Sequence, residues 1–294
     1  MTGEGFALLA ALSYGLAGVT IVRGKASARG DNGVFLSVVL TAAVSGALWL
    51  GWGQVRLAAV ASLDAVEPIA VFLAAGLFSM VLGRTTMYRA TEQIGPVAAS
   101  LLRRLTPVIA LPIGVVFLAE FPAAQTYFGA GLVIAGVMLH IGRPARTPGD
   151  GPGLGWLLGV GSAAFYAVSY VLRSHGLDQL PDAAFGTFIG ALAGLAWMMG
   201  AALTRAGGPA RLRRLLTDRG PWHWLTAAAL SAGQIFQFFA LKSAPVVVVA
   251  TLGSLEVFFT ALLGVVLIGA GAVTARRIWL PALLAVAGTV LLMS

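Results

Sequence analysis

The chain has 294 residues, 59% of them hydrophobic and only 10% charged, and its mean hydropathy of +0.91 is more apolar than a soluble domain can accommodate. The net charge of +8 comes from Lys and Arg grouped in short clusters between apolar runs, the pattern of membrane-protein loops, and no nucleic-acid partner is expected. The absence of cysteine excludes disulfides, thiolate metal sites and cysteine nucleophiles. The aspartates read as loop residues, and neither Gly-x-Ser-x-Gly nor His-Glu-x-x-His occurs, so no enzyme chemistry, metal or other cofactor is expected.

Crossing about 30 Å of hydrocarbon takes roughly 17–25 apolar residues. Runs of that kind fall near 4–22, 34–53, 67–88, 95–118, 124–142, 154–173, 183–204, 222–241, 246–269 and 277–293. The chain therefore reads as an all-α polytopic membrane protein with ten transmembrane helices. The first run lacks a basic leader and a cleavage site, so a removable signal peptide is not expected. Tyr14 lies in this run and Tyr88 ends the third. Arg103 and Arg104 stand about eight residues into the fourth. A Pro/Gly-rich linker, 143–153, separates residues 1–142 from 154–294. Tyr166 and Tyr170 follow in the sixth run, Gln234 and Gln237 in the eighth, and Glu256 in the ninth. Trp residues at run ends read as an interfacial belt, and the arginine-rich segment 205–219 reads as an amphipathic stretch on an anionic leaflet.

A shift of 150 residues brings the two sides of the linker into register: Arg23 falls on Arg173, Ala90 on Ala240, Gly95 on Pro245, and Gly114-Val115-Val116 on Gly264-Val265-Val266. Five spans per half is an odd number, so the halves insert in opposite senses. Two inverted five-helix repeats are the plan of secondary transporters, with a substrate site near the midplane.

The stretch from Tyr88 to Glu120, with Thr106-Pro107 near its middle, resembles the third-to-fourth-helix signature of the EamA family in the drug/metabolite transporter superfamily. The segment from Phe239-Ala-Leu-Lys-Ser-Ala-Pro through Leu255-Glu256 to Gly264-Val-Val-Leu267 is similar to a second copy. The resemblance departs in detail, since Thr106-Pro107 keeps only the family's proline, Glu256-Val257 only its glutamate, and Ala119-Glu120 replaces Gly-Glu. It implies a ten-helix carrier of small metabolites in the inner (plasma) membrane, often an exporter of amino acids or related compounds. A flippase for a lipid-linked or polyprenyl-phosphate substrate is the alternative.

Charges inside a bilayer cost roughly 2.5–3.5 kcal/mol each on insertion scales and turn toward a cavity or a partner. One of Arg103 and Arg104 is expected to face the cavity and hold an anionic group; the other reading is that they pair internally with Glu92, Glu120 or Glu256. Glu256 is a candidate for proton coupling or for a structural ion pair. Gln234 and Gln237, three apart on one helix face, either hydrogen-bond substrate or join helices. Tyr14, Tyr166 and Tyr88 are candidate walls of the cavity. The expected partners are a small-molecule substrate, the lipid bilayer and, as a coupling ion, protons, in a monomer or a homodimer. Loops after odd-numbered spans hold fourteen cations, Arg84 and Arg89 included, against Arg56, Arg173 and Lys242 on the other side. The positive-inside rule then puts both termini outside the cytoplasm, whereas the family usually has them inside.

Overall fold

The computed structural model describes residues 2–56, 65–118, 124–141, 153–244 and 246–269, with scattered positions between 280 and 291. Its helices are α1 (Gly3–Lys25), α2 (Val34–Trp52), α3 (Val66–Ile94), α4 (Pro96–Leu102), α5 (Leu105–Leu118) and α6 (Ala124–Ile141). They continue as α7 (Gly153–Gln179), α8 (Ala183–Leu203), α9 (Gly208–Leu215), α10 (Pro221–Ser243), α11 (Val246–Leu252) and α12 (Glu256–Ile268). Among the described residues, seven helical stretches are long and apolar enough to cross a membrane: α1, α2, α3, α4 with α5, α7, α8 and α10. The expected linker, most of the expected tenth span, Glu120, Arg143, Arg146, Arg276 and Arg277 lie outside the described residues.

The ends of the helices follow from their residues. The Thr2 hydroxyl caps α1 at Gly5, and Asp182 caps α8 at Phe185, each satisfying a backbone N–H that helix geometry leaves free. Gly95, at φ +83°, makes the turn from which Pro96 starts α4, because only glycine adopts that backbone without strain. Two helices run further than expected, α3 to Ile94 and α7 to Gln179. Asp178 consequently lies inside a helix rather than in a loop.

Large apolar side chains such as Leu50, Trp52, Phe128 and Leu157 are exposed on the outside, while the interior is rich in Ala, Ser and Thr. That distribution suits lipid on the outside and close helix contact within. The closest crossing is α3 on α8. A Cβ on Gly76 would strike the backbone of Gly190, so Gly76, which fits no sequence motif of its own, has its small partner on another helix.

The packing has a pattern. α1 lies against α10 and α12, and its counterpart α7 lies against α3 and α5. Likewise α2 packs on α10 while α8 packs on α3, and α2 and α8 pack on each other. Exchanging each element for the one 150 residues away leaves this set of neighbours unchanged.

Within α3, residues Leu77–Gly83 are π-helical. Serines of α7 donate to a carbonyl just before that segment and to one at its end, Ser169 to Ala75 at 3.0 Å and Ser162 to Gly83 at 3.1 Å.

Loops define two ends. Asp218 accepts from the backbone N–H groups of Arg29, Gly30 and Asn32 at 2.6, 2.9 and 2.7 Å, and Lys25 pairs with Glu92 at 2.7 Å. The turns after α1, after α3 and before α10 therefore share one end. At the other, Asp182 accepts from Gln54 and Val55, and Lys242 donates to Gln54.

Candidate substrate site between two broken helices

The fourth span is not one helix. Pro107 has no N–H to give the Arg103 carbonyl, and Thr106 donates to it instead at 3.0 Å, which tightens the turn and separates α4 from α5. The ninth span breaks as well, through a 3₁₀ turn at Gly253–Leu255. Arg103 and Gly253 are 150 residues apart, so both halves break at the same repeat position. Glu256 is consequently the first residue of α12, at a helix break rather than deep in a continuous span.

The breaks face each other and are joined by charge. Arg103 Nη1 lies 3.0 Å from Glu256 Oε1, and Arg104 Nη2 lies 3.0 Å from Oε2. Arg104 also donates to the carbonyls of Ser100 and Gly253, groups that the helix ends leave free. On a straight helix adjacent residues point about 100° apart; at the break both guanidiniums converge on one carboxylate. This is the internal ion-pair geometry, with Glu256 rather than Glu92 as partner.

Tyr14 from α1 and Tyr166 from α7 place their rings over the Arg103 guanidinium, each 4.9 Å from ring centroid to Cζ. In this desolvated setting, cation–π contact adds to the ion pair. Tyr14, Tyr170, Gln237, Glu256 and both arginines line a cavity of about 20 Å³, room for roughly one water. The site is occluded in this conformation.

Beside it lies a second cation that sequence reasoning put in a loop. Arg173 is fully buried. Its Nη1 donates to Gln237 Oε1 at 2.6 Å, and its Cζ sits 4.6 Å from the Phe238 ring centroid. With its amide oxygen turned toward Arg173, Gln234 accepts from Nη1 and Nη2 at 2.7 and 2.5 Å. Gln237 also donates to the Tyr170 hydroxyl and accepts from Tyr14 at 3.3 Å. No carboxylate faces Arg173 among the described residues. The signal was present in the sequence, because Tyr166, Tyr170 and Arg173 recur at i, i+4 and i+7 on one helix face.

Tyr88, also expected at the cavity wall, is buried one turn beyond Arg84 on α3, and its hydroxyl has no hydrogen-bond partner among the described residues. Arg84 is buried too, so it is an interior residue and not a loop cation.

A helical bundle with an apolar exterior, broken helices and a cluster of buried charges is an arrangement that membrane transporters use. The profile of the EamA-like transporter family matches residues 1–142. Over that stretch the chain is similar to the EamA-like transporters, part of the drug/metabolite transporter superfamily. No curated protein matches. A solved crystal structure of a protein superposes with a TM-score of 0.66 at 17% identity, covering 98% of this chain and 94% of that one, which shows a shared fold.

Proposed function

We propose that this protein is a carrier, in the export direction, of small organic metabolites bearing an anionic group, organic acids or amino acids among them. It resides in the inner (plasma) membrane and works by alternating access between two inverted five-helix repeats. The observation that carries this reading is Arg173, a fully buried guanidinium held by two glutamines and facing no carboxylate among the described residues. A bare buried cation is costly, and a substrate anion would remove that cost while making bidentate hydrogen bonds. Tyr14, Tyr166 and Tyr170 then meet the apolar part of the substrate. Paired helix breaks and a packing pattern that survives exchange of the halves support the inverted-repeat cycle. Arg103, Arg104 and Glu256 join the two moving halves, and a coupled proton would reside on Glu256.

The test is a thermal-shift measurement on purified protein with organic acids, because a ligand that binds only the folded state raises its stability by mass action. Carboxylates should stabilise the wild type, and Arg173→Gln should keep its fold and lose that response. An undiminished response in Arg173→Gln would remove Arg173 from the site.

A further inference from the structure

The buried charges do not balance. Arg84, Arg103, Arg104 and Arg173 are all buried within the spans, and Glu256 serves Arg103 and Arg104 together. Asp182, Asp218 and the partly buried Asp31 bond backbone amides at the span ends, and none of them forms an ion pair with these guanidiniums among the described residues. Two guanidiniums, Arg173 and Arg84, are left without a carboxylate among the described residues.

Arg84 is the barer of the two. It is 1% exposed, its Nη1 donates to Ser37 Oγ at 3.0 Å, and its Nε and Nη2 have no hydrogen-bond partner among the described residues. The Tyr88 hydroxyl, one turn further along α3, has none either. Three polar groups are therefore buried and unused around a single cation, an arrangement that costs stability unless something completes it.

Arg173 meets α10 directly at Gln234, and Arg84 connects to it through Ser37 of α2. Ser231 Oγ donates to the Ser37 carbonyl at 3.4 Å, and Ser37 holds Arg84; Gln234, three residues further along α10, faces Arg173. At 1.5 Å per residue these anchors, Ser231 and Gln234, are about 5 Å apart along the helix.

We propose that the transported molecule carries two anionic groups, one held by Arg173 and the second by Arg84 with the Tyr88 hydroxyl, so that the substrate class is a small dianionic organic acid. The inference rests on the reading of Arg173 as an anion site and adds a second contact to it. The spacing of the anchors favours a short α,ω-dicarboxylate over a phosphate monoester, whose two charges sit on one head.

The test measures binding of malonate, succinate, glutarate, adipate, a phosphate monoester and butyrate to the purified full chain. One charge-assisted contact corresponds to about a tenfold change in affinity, so the best dicarboxylate should bind the wild type about tenfold tighter than butyrate. Arg84→Gln should erase that advantage while leaving butyrate binding intact, and Arg84→Lys should restore most of it, which controls for misfolding. Arg173→Gln should lose both ligands. The proposal is overturned if Arg84→Gln keeps the preference for dicarboxylate, or if the phosphate monoester binds best and is indifferent to Arg84→Gln. Butyrate binding that depends on Arg173, without any dicarboxylate preference in the wild type, removes the second contact alone. Absence of any response to anions removes both contacts.

Discussion

Arg103 Nη1 and Glu256 Oε1 are 3.0 Å apart in space and 153 residues apart in sequence, and their pairing ties together the two helix breaks at equivalent places in the halves. Arg104 doubles the tie through the other carboxylate oxygen. In the proposed alternating-access cycle, movement of one half against the other would stretch or re-form this bridge.

Removing the carboxylate should therefore do more harm than removing the whole cluster. Glu256→Gln leaves two buried guanidiniums uncompensated and should cost about 3–5 kcal/mol. The triple variant with Arg103→Gln and Arg104→Gln should recover a substantial part of that loss. Unfolding of the purified variants under one set of detergent conditions checks both expectations.

If Glu256 carries a coupled proton, transport driven by a pH gradient should lose its pH dependence in Glu256→Gln while counterflow exchange survives. Proteoliposome assays of the two modes separate coupling from the carrier step itself. Full pH dependence in the variant would make Glu256 structural.

Gly76 and Gly51 should respond in opposite directions to the same change. Gly76→Ala forces its Cβ into the Gly190 backbone and should cost about 1–3 kcal/mol by overpacking. Gly51 has nothing within 4 Å of its Cβ position, and Gly51→Ala in α2 should gain about 0.5–1 kcal/mol from helix propensity. Melting temperatures of the two variants decide the matter.

Asp31, in the turn between α1 and α2, supplies a pH dependence. Burial is the main cause that raises its carboxyl from an ordinary 3.8 to about 6, with the neighbouring Asp218 adding to it and hydrogen bonds from Phe35 and Gly33 opposing. A raised carboxyl means that the folded state binds the proton more tightly than the unfolded one. The associated stability is present below about pH 4 and is lost as the pH rises through about 6. The stability of the wild type relative to Asp31→Asn should accordingly fall between about pH 4 and about pH 8. A constant difference across that range would show that Asp31 does not titrate there.

Topology is testable from the charges that remain once Arg84 and Arg173 are assigned to the interior. One end carries Arg23, Lys25, Arg29, Arg89 and the arginines of α9, while the other carries Arg56 and Lys242 among the described residues. The positive-inside rule sends the arginine-rich end to the cytoplasm and the start of α1 to the opposite side. A reporter active only in the cytoplasm should stay silent when fused ahead of α1 and be active when inserted in the turn beside Asp218.

Much was legible without coordinates because the bilayer imposes a one-dimensional rule: a span must be apolar for a fixed length, and Gly95-Pro96 or Pro221 mark where one starts. The offset that aligns Arg103 with Gly253 was likewise a property of the string, as were the aromatic and amide residues that the fold gathers around Arg173. What the string did not carry was side-chain direction. Arg103 and Arg104 looked divergent because a continuous helix was assumed, and Pro107 shows its effect only when the Arg103 carbonyl is followed to Thr106. Arg173 looked like a loop residue because apolarity fades there, although the helix continues six residues further to Gln179.

The all-helical, membrane-spanning character was thus determined by composition and spacing, since it depends on the free energy of placing residues in hydrocarbon one after another. Which charges are compensated was decided only by tertiary structure. Coulombic pairing depends on distances between helices far apart in the chain, and the approach of two helix breaks gave Glu256 to Arg103 and Arg104 while leaving Arg84 and Arg173 without a carboxylate among the described residues.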